Sequence, residues 1–178
     1  MYWVLFILLI LLVFILINVI LWTGHTLLYL TIMLFGAPYC GSEDQKLKLM
    51  IKLANIKAGE RAADLGSGDG RVLIALAKAG AQVHGFEINP LLVRQSRQNI
   101  KQAGLEKQIT VYHKNFWKQD LSSFDIVIVY GITYMMTKLE KKLLKELKPG
   151  VKVISNYYQF PNWEPRQSRG EVHLYVKK

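Results

Sequence analysis

Residues 62–71 read Ala-Ala-Asp-Leu-Gly-Ser-Gly-Asp-Gly-Arg: an apolar run ends in an acid, Asp64, and glycines follow at alternate positions 66, 68 and 70. Glycine in such a turn lets a ligand approach the backbone, and free N–H groups at a following helix start attract an anion. The spacing excludes two phosphate-binding arrangements. A dinucleotide fingerprint requires Gly-x-Gly-x-x-Gly, and Arg71 stands where its third glycine belongs. No Gly-Lys-Ser/Thr follows, so a P-loop is excluded as well.

The pattern suits a ligand with an amino-acid end and a nucleoside end. Asp64 can meet an ammonium group, and the loop N–H groups a carboxylate. Glu87 ends the next apolar run (Val-His-Gly-Phe-Glu), where it can accept both hydroxyls of a ribose. S-adenosylmethionine fits both ends and is the expected cofactor. Asp64, Leu65, Gly66, Ser67, Gly68, Gly70 and Arg71, with Glu87 and Ile88, are the residues expected to bind it. No Ser-His-Asp arrangement or zinc-ligand spacing is present, so no metal is expected; His84, His113 and His173 read as strand-surface residues. The single cysteine, Cys40, excludes an intrachain disulfide framework.

These residues need a scaffold that presents strand ends side by side. Apolar patterning predicts strands at 61–65, 82–87, 108–114, 125–130, 151–157 and 171–177, with helices at 70–79, 90–103 and 135–147. A further helix opens at Ser42, which can form a capping box with Gln45. Alternation with short connections predicts an α/β fold, a mostly parallel doubly wound sheet of about six strands, with 158–170 a long loop. In such a sheet the carboxyl end of the fourth strand faces the ligand, which nominates Tyr130, Gly131 and Tyr134 as catalytic, with Asn156 beside them. The two tyrosines read equally well as packing aromatics at the rim.

Charge divides the chain. None of its 36 charged side chains precedes Glu43, so they make up about 26% of the last 136 residues, an ordinary soluble fraction. Tyr2–Trp22 is an apolar run with Asn18 its only strongly polar residue, and aromatic residues stand at both ends. Twenty-one residues of helix span roughly 31 Å, matching a hydrocarbon core of about 30 Å. A basic n-region and a small-residue cleavage site are both missing, so an uncleaved single-pass anchor is expected over 1–22. Thr23-Gly24-His25-Thr26 is expected to break the helix. Residues 23–41 then form an interfacial or re-entrant segment, or a second short span, ahead of a domain at 42–178. The net charge of +10 lies after the anchor and predicts a cytoplasmic domain.

DLGSGDGR followed by GFEINPLLVRQSR resembles the class I S-adenosylmethionine-dependent methyltransferases, whose fold is Rossmann-like. The chain is most similar to the membrane-anchored lysine methyltransferases whose mitochondrial members modify the ATP synthase c-subunit and the adenine nucleotide translocase. Pro38-Tyr39, Asn89-Pro90, Phe116-Trp117-Lys118, Met135-Met136, Leu139-Glu140, Phe160-Pro161 and Trp163-x-Pro165 carry that likeness further. The resemblance implies that Asp64, Gly66, Gly68 and Gly70 line the methionine end, that Glu87 binds the ribose, and that Asn115 and Phe116 flank the adenine. Asn115 stands where the family has an acid.

A protein-lysine N-methyltransferase acting on a membrane protein is therefore the expected function. Methylation of a lipid or quinone-like molecule, or a non-catalytic cofactor-binding tether, are the alternatives. Lys138, Lys141, Lys142, Lys145 and Lys148 recur at helical spacing as a solvated face, and beside an anchor such a stripe could meet anionic headgroups. Nucleic acid is not expected as a partner, because no recognition motif accompanies the charge.

Overall fold

A computed structural model describes residues 2–35 and 44–178, and the chain divides into two units, 1–38 and 39–178. Pro38 and Tyr39, named above for the family likeness, the single cysteine Cys40, and Ser42, named for the capping box, lie outside the described residues.

The first unit is one helix, α1 (Tyr2–Phe35), long and apolar enough over Phe6–Leu27 to cross a membrane. The expected break at Thr23–Thr26 does not form. The Thr23 hydroxyl donates to the carbonyls of Val19 (2.9 Å) and Ile20 (3.0 Å), and that of Thr26 to Trp22 (2.7 Å). Both threonine hydroxyls are bonded inside the helix, as is the Asn18 amide, which donates to the Phe14 carbonyl at 2.8 Å. Back-bonding removes the reason for a threonine pair to end a helix. At 34 residues α1 is roughly 51 Å long, well beyond one hydrocarbon core.

The second unit runs α2 (Asp44–Ala54), β1 (Arg61–Leu65), α3 (Arg71–Lys78), β2 (Gln82–Glu87), α4 (Pro90–Gln102), β3 (Ile109–His113), β4 (Ile126–Val129), α5 (Thr133–Glu146), β5 (Lys152–Asn156), β6 (Gln167–Arg169) and β7 (Val172–Val176), with a 3-10 turn at Phe116–Lys118. Among the described residues the sheet has seven strands in the order β3-β2-β1-β4-β5-β7-β6, and β7 alone runs against the others, antiparallel to both β5 and β6. This is the Rossmann-like sheet expected, with one strand more. β6 falls inside the stretch read as a loop, because Gln-Ser-Arg is exposed throughout and carries no apolar signal.

Both faces of the sheet are covered, so its central strands are apolar without alternation, as in the wholly buried Ile-Val-Ile-Val of β4. Ala62, Ile126, Ile128 and Ile154 pack toward Met50 and Leu53 of α2 and Leu73 and Leu76 of α3. On the opposite face Ala63, Leu65, Val127, Val129 and Val153 meet Met136, Leu139 and Leu143 of α5. Gly85 interrupts β2 for a steric reason: a Cβ there would come within 2.6 Å of Leu73 Cδ1 and 2.8 Å of Ser67 Oγ.

The α5 lysines do not form one solvated stripe. Lys142 turns inward, its ammonium 2.6 Å from Glu146 and 2.7 Å from the Gln119 carbonyl, and Lys138 lies over the Trp117 ring at 4.8 Å. Lys141 and Lys145 remain exposed.

Leu139 is fully buried against the sheet. Leu139→Ala is expected to cost about 2–5 kcal/mol, read as a lowered urea midpoint with an unchanged slope.

Candidate functional site

Strand register brings the chemistry-bearing residues into one row. Phe86 pairs with Leu65, Leu65 with Val129, and Val129 with Ser155. The next residue on each strand is therefore Glu87, Gly66, Tyr130 and Asn156, side by side at the carboxyl edge. Asp64 sits two residues inside that edge, paired with Gly85 and Ile128.

The glycine loop owes its course to backbone conformations that L side chains rarely adopt. Gly66, Gly68 and Gly70 have φ of 92°, 54° and 84°. At Gly70 a Cβ would also collide with Ser96 Oγ of α4, so the glycine serves both the turn and the packing of two helices. At Gly66 such a Cβ would meet nothing within 4 Å, leaving the loop open to an approaching ligand.

The loop N–H groups are not the free anion cradle expected. Those of Gly66 and Ser67 donate to the Phe86 carbonyl (2.8 and 3.1 Å), and that of Gly70 to the Ser67 carbonyl (3.0 Å). Gly68 N donates to Glu87 Oε2 at 3.0 Å, while Ile88 N and Asn89 N each donate to Oε1 at 2.8 Å. Glu87 is thus a structural clamp in its own right. Its two oxygens offer about four acceptor positions and the backbone takes three, so one direct acceptor position remains for a ligand hydroxyl.

The site's electrostatic sense is acidic. Asp64, Asp69 and Glu87 are all buried, and Arg71 binds the Asp69 carboxylate through Nε (3.2 and 3.1 Å) and a terminal nitrogen (2.9 Å). Asp64 has no hydrogen bond among the described residues. Burial first, then the charges of Glu87 and Asp69, push its carboxyl up to about 7. Ser67 Oγ is buried with no hydrogen-bond partner among the described residues. An unbonded acid and an orphaned hydroxyl beside an open glycine turn fit the cationic amino-acid end of S-adenosylmethionine.

Asn115 caps the 3-10 turn, accepting from Trp117 N at 3.0 Å, which leaves its amide N–H groups as donors. Phe116 packs on Trp117, and Ile88 is exposed beside Glu87. Tyr130 is half-buried at the row, whereas Tyr134 is 76% exposed on the first turn of α5. A Cβ on Gly131 would meet Met136 Sδ, so a larger residue there would require the flexible Met136 side chain to shift. Tyr157 was not foreseen as a site residue. It follows β5 with φ 79°, a conformation costly for a bulky residue, and its ring lies 6.4 Å from that of Tyr130. Nothing in the sequence signals that φ.

A parallel sheet with an acid-tipped first strand, a glycine turn and an acid at the second strand end defines a Rossmann-like methyltransferase. The chain belongs to the family of the ANTKMT methyltransferase domain, whose model matches residues 64–167. It is 38% identical over 134 residues to the Xenopus laevis lysine N-methyltransferase of the ATP synthase c-subunit, covering 75% of this chain and 59% of that protein. A protein-lysine N-methyltransferase of Saccharolobus islandicus is 31% identical over 132 residues, covering 73% and 82%. Among solved structures, an RNA methyltransferase from Salinibacter ruber in complex with S-adenosyl-L-homocysteine superposes with a TM-score of 0.72 at 29% identity, covering 78% of this chain and 92% of that one. The chain thus spans less than two thirds of the Xenopus relative.

Folded Asp64 keeps its proton to about pH 7, whereas an unfolded aspartate releases it near 3.8. The folded state holds more protons in that window, so this group's contribution to stability falls as pH rises. Asp64→Asn should gain stability relative to the parent between pH 4.5 and 7.5, by on the order of 1–4 kcal/mol. Urea titrations of both proteins at the two pH values measure it.

Proposed function

We propose that the chain is a membrane-anchored, S-adenosylmethionine-dependent methyltransferase that modifies a lysine of a membrane protein. The observation that carries the cofactor half is Asp64, a buried acid without a hydrogen bond among the described residues, set beside an open glycine turn. The lysine half is supported by relatives named for that activity on the ATP synthase c-subunit and, at 33% identity over 135 residues, by the mouse adenine nucleotide translocase lysine N-methyltransferase. The anchor is α1, and the basic charge that follows it favours a cytoplasmic domain.

When bound, the cofactor supplies an electrophilic methyl group on a sulfonium. Asp64 holds its ammonium group, ionising as the cation arrives. Glu87 would hold the ribose through its remaining direct acceptor position. Leu65, Gly66, Ser67, Gly68, Gly70 and Arg71 shape the methionine end, with Ile88, Asn115 and Phe116 at the adenine. Most of the rate comes from holding donor and acceptor in line. The lysine amine must first lose its proton, against a reference pKa near 10.4, and a dry acceptor site lowers that value. Tyr130, with Tyr134 and Asn156 nearby, offers oxygens that orient the neutral amine, and Gly131 keeps the chain close behind them. Lys138, Lys141 and Lys145 remain the α5 cations available to anionic headgroups; Lys142 is taken by Glu146.

Full-length protein incubated with methyl-labelled cofactor and membranes should place the label on lysine of a membrane protein, identified by mass spectrometry. Label recovered only in the lipid extract or only in RNA would overturn the substrate assignment. Glu87→Gln should weaken cofactor binding at least tenfold by calorimetry, because it removes an acceptor oxygen and the charge behind it; unchanged affinity contradicts the ribose role.

A further inference from the structure

The sheet has a second concave feature at its other end. A cavity of about 580 Å3 lies at the amino ends of β1 and β5, lined by the end of α2, by Glu60, Gly150 and Lys152, and by the β6–β7 edge. Glu60 stands four residues before Asp64, about 13 Å along β1. The volume is in the range of small-ligand sites.

Its charge is unbalanced. Lys52, Lys57, Lys152, Arg166 and Arg169 line it, against the single carboxylate of Glu60. That carboxylate is already engaged: its oxygens accept from Lys152 Nζ at 3.2 and 3.1 Å, and one accepts from Lys57 N at 2.8 Å. Lys152 also donates to the Asn55 carbonyl at 3.1 Å. Among the described residues no carboxylate lies within 4.0 Å of the side-chain nitrogens of Lys52, Lys57, Arg166 or Arg169. Four cations around one cavity, with no carboxylate partner among the described residues, repel one another and favour an anion shared between them. Two of the four are guanidiniums, whose planar fork matches phosphate oxygens, and Leu53, Leu174 and Val176 supply an apolar wall.

We propose that this cavity binds a phosphate-bearing anion, carried by a lipid headgroup or by a soluble compound. Lys52, Lys57, Arg166 and Arg169 hold the phosphate oxygens, and the Lys152–Glu60 pair fixes the floor. The site is separate from the acidic row and does not depend on the methyltransferase reading.

The full chain in neutral detergent is titrated by calorimetry with pyrophosphate, with dihexanoyl phosphatidic acid, and with zwitterionic dihexanoyl phosphatidylcholine. Saturable binding of one or both anions is expected, with at least tenfold preference over phosphatidylcholine. Replacing Lys52, Arg166 and Arg169 together by Gln should weaken that binding at least tenfold, and replacing Arg94, Lys101 and Lys107, exposed cations outside the cavity, by Gln less than twofold. Tighter binding of phosphatidic acid assigns the source as a headgroup; tighter binding of pyrophosphate assigns a soluble phosphate compound. No binding of either anion, or equal losses in the two triple variants, overturns the proposal. Should the first triple variant melt early, Lys57→Gln alone decides: a threefold or greater weakening supports the site, and unchanged affinity overturns it.

Discussion

A single carboxylate joins the two halves of the candidate site. Glu87 accepts from Gly68 N on the loop after β1 and from Ile88 N and Asn89 N on the turn after β2. Its geometry depends on three glycines at positive φ, since only their backbone turns Gly68 N toward it. Asn89, positioned by the same carboxylate, then caps α4 by accepting from Leu91 N at 3.0 Å, with Pro90 at the first helical position. Loop course, helix start and acid placement are consequently one arrangement.

That arrangement leaves Asp64 alone. Arg71 neutralises Asp69 and the backbone occupies Glu87, while Asp64 lies buried with no hydrogen bond among the described residues. The loop's own N–H groups are spent on Phe86, Ser67 and Glu87, so the turn has little left for an anion and much for a cation. At the other end of the same sheet the imbalance has the opposite sign, with Lys52, Lys57, Arg166 and Arg169 around one cavity. A parallel sheet produces this separation naturally, because all the turns after its strands gather at one edge and all those before them at the other.

Much of the fold was legible because buried parallel strands are apolar runs and the helices between them carry a 3.6-residue period. Asp64, the glycines and Glu87 were legible because a turn of that shape tolerates few other residues. Other features were hidden for specific reasons. Thr23 and Thr26 look like helix breakers, yet their hydroxyls bond to carbonyls of the preceding turn. β6 carries no hydrophobic pattern; it exists because β7 offers an unpaired edge. Lys142 shares the spacing of its neighbours, but Glu146 and the Gln119 carbonyl draw it inward.

Local patterning and steric necessity were therefore enough to name the class of sheet, its acid-tipped first strand and the glycine turn. They act over a few residues, and a few residues of sequence record them. The alignment of Glu87, Gly66, Tyr130 and Asn156 in one row, the strained Tyr157, the occupied loop N–H groups and the basic cavity arise from contacts between segments far apart in the chain. Such contacts depend on register and burial, which no short stretch of residues encodes alone.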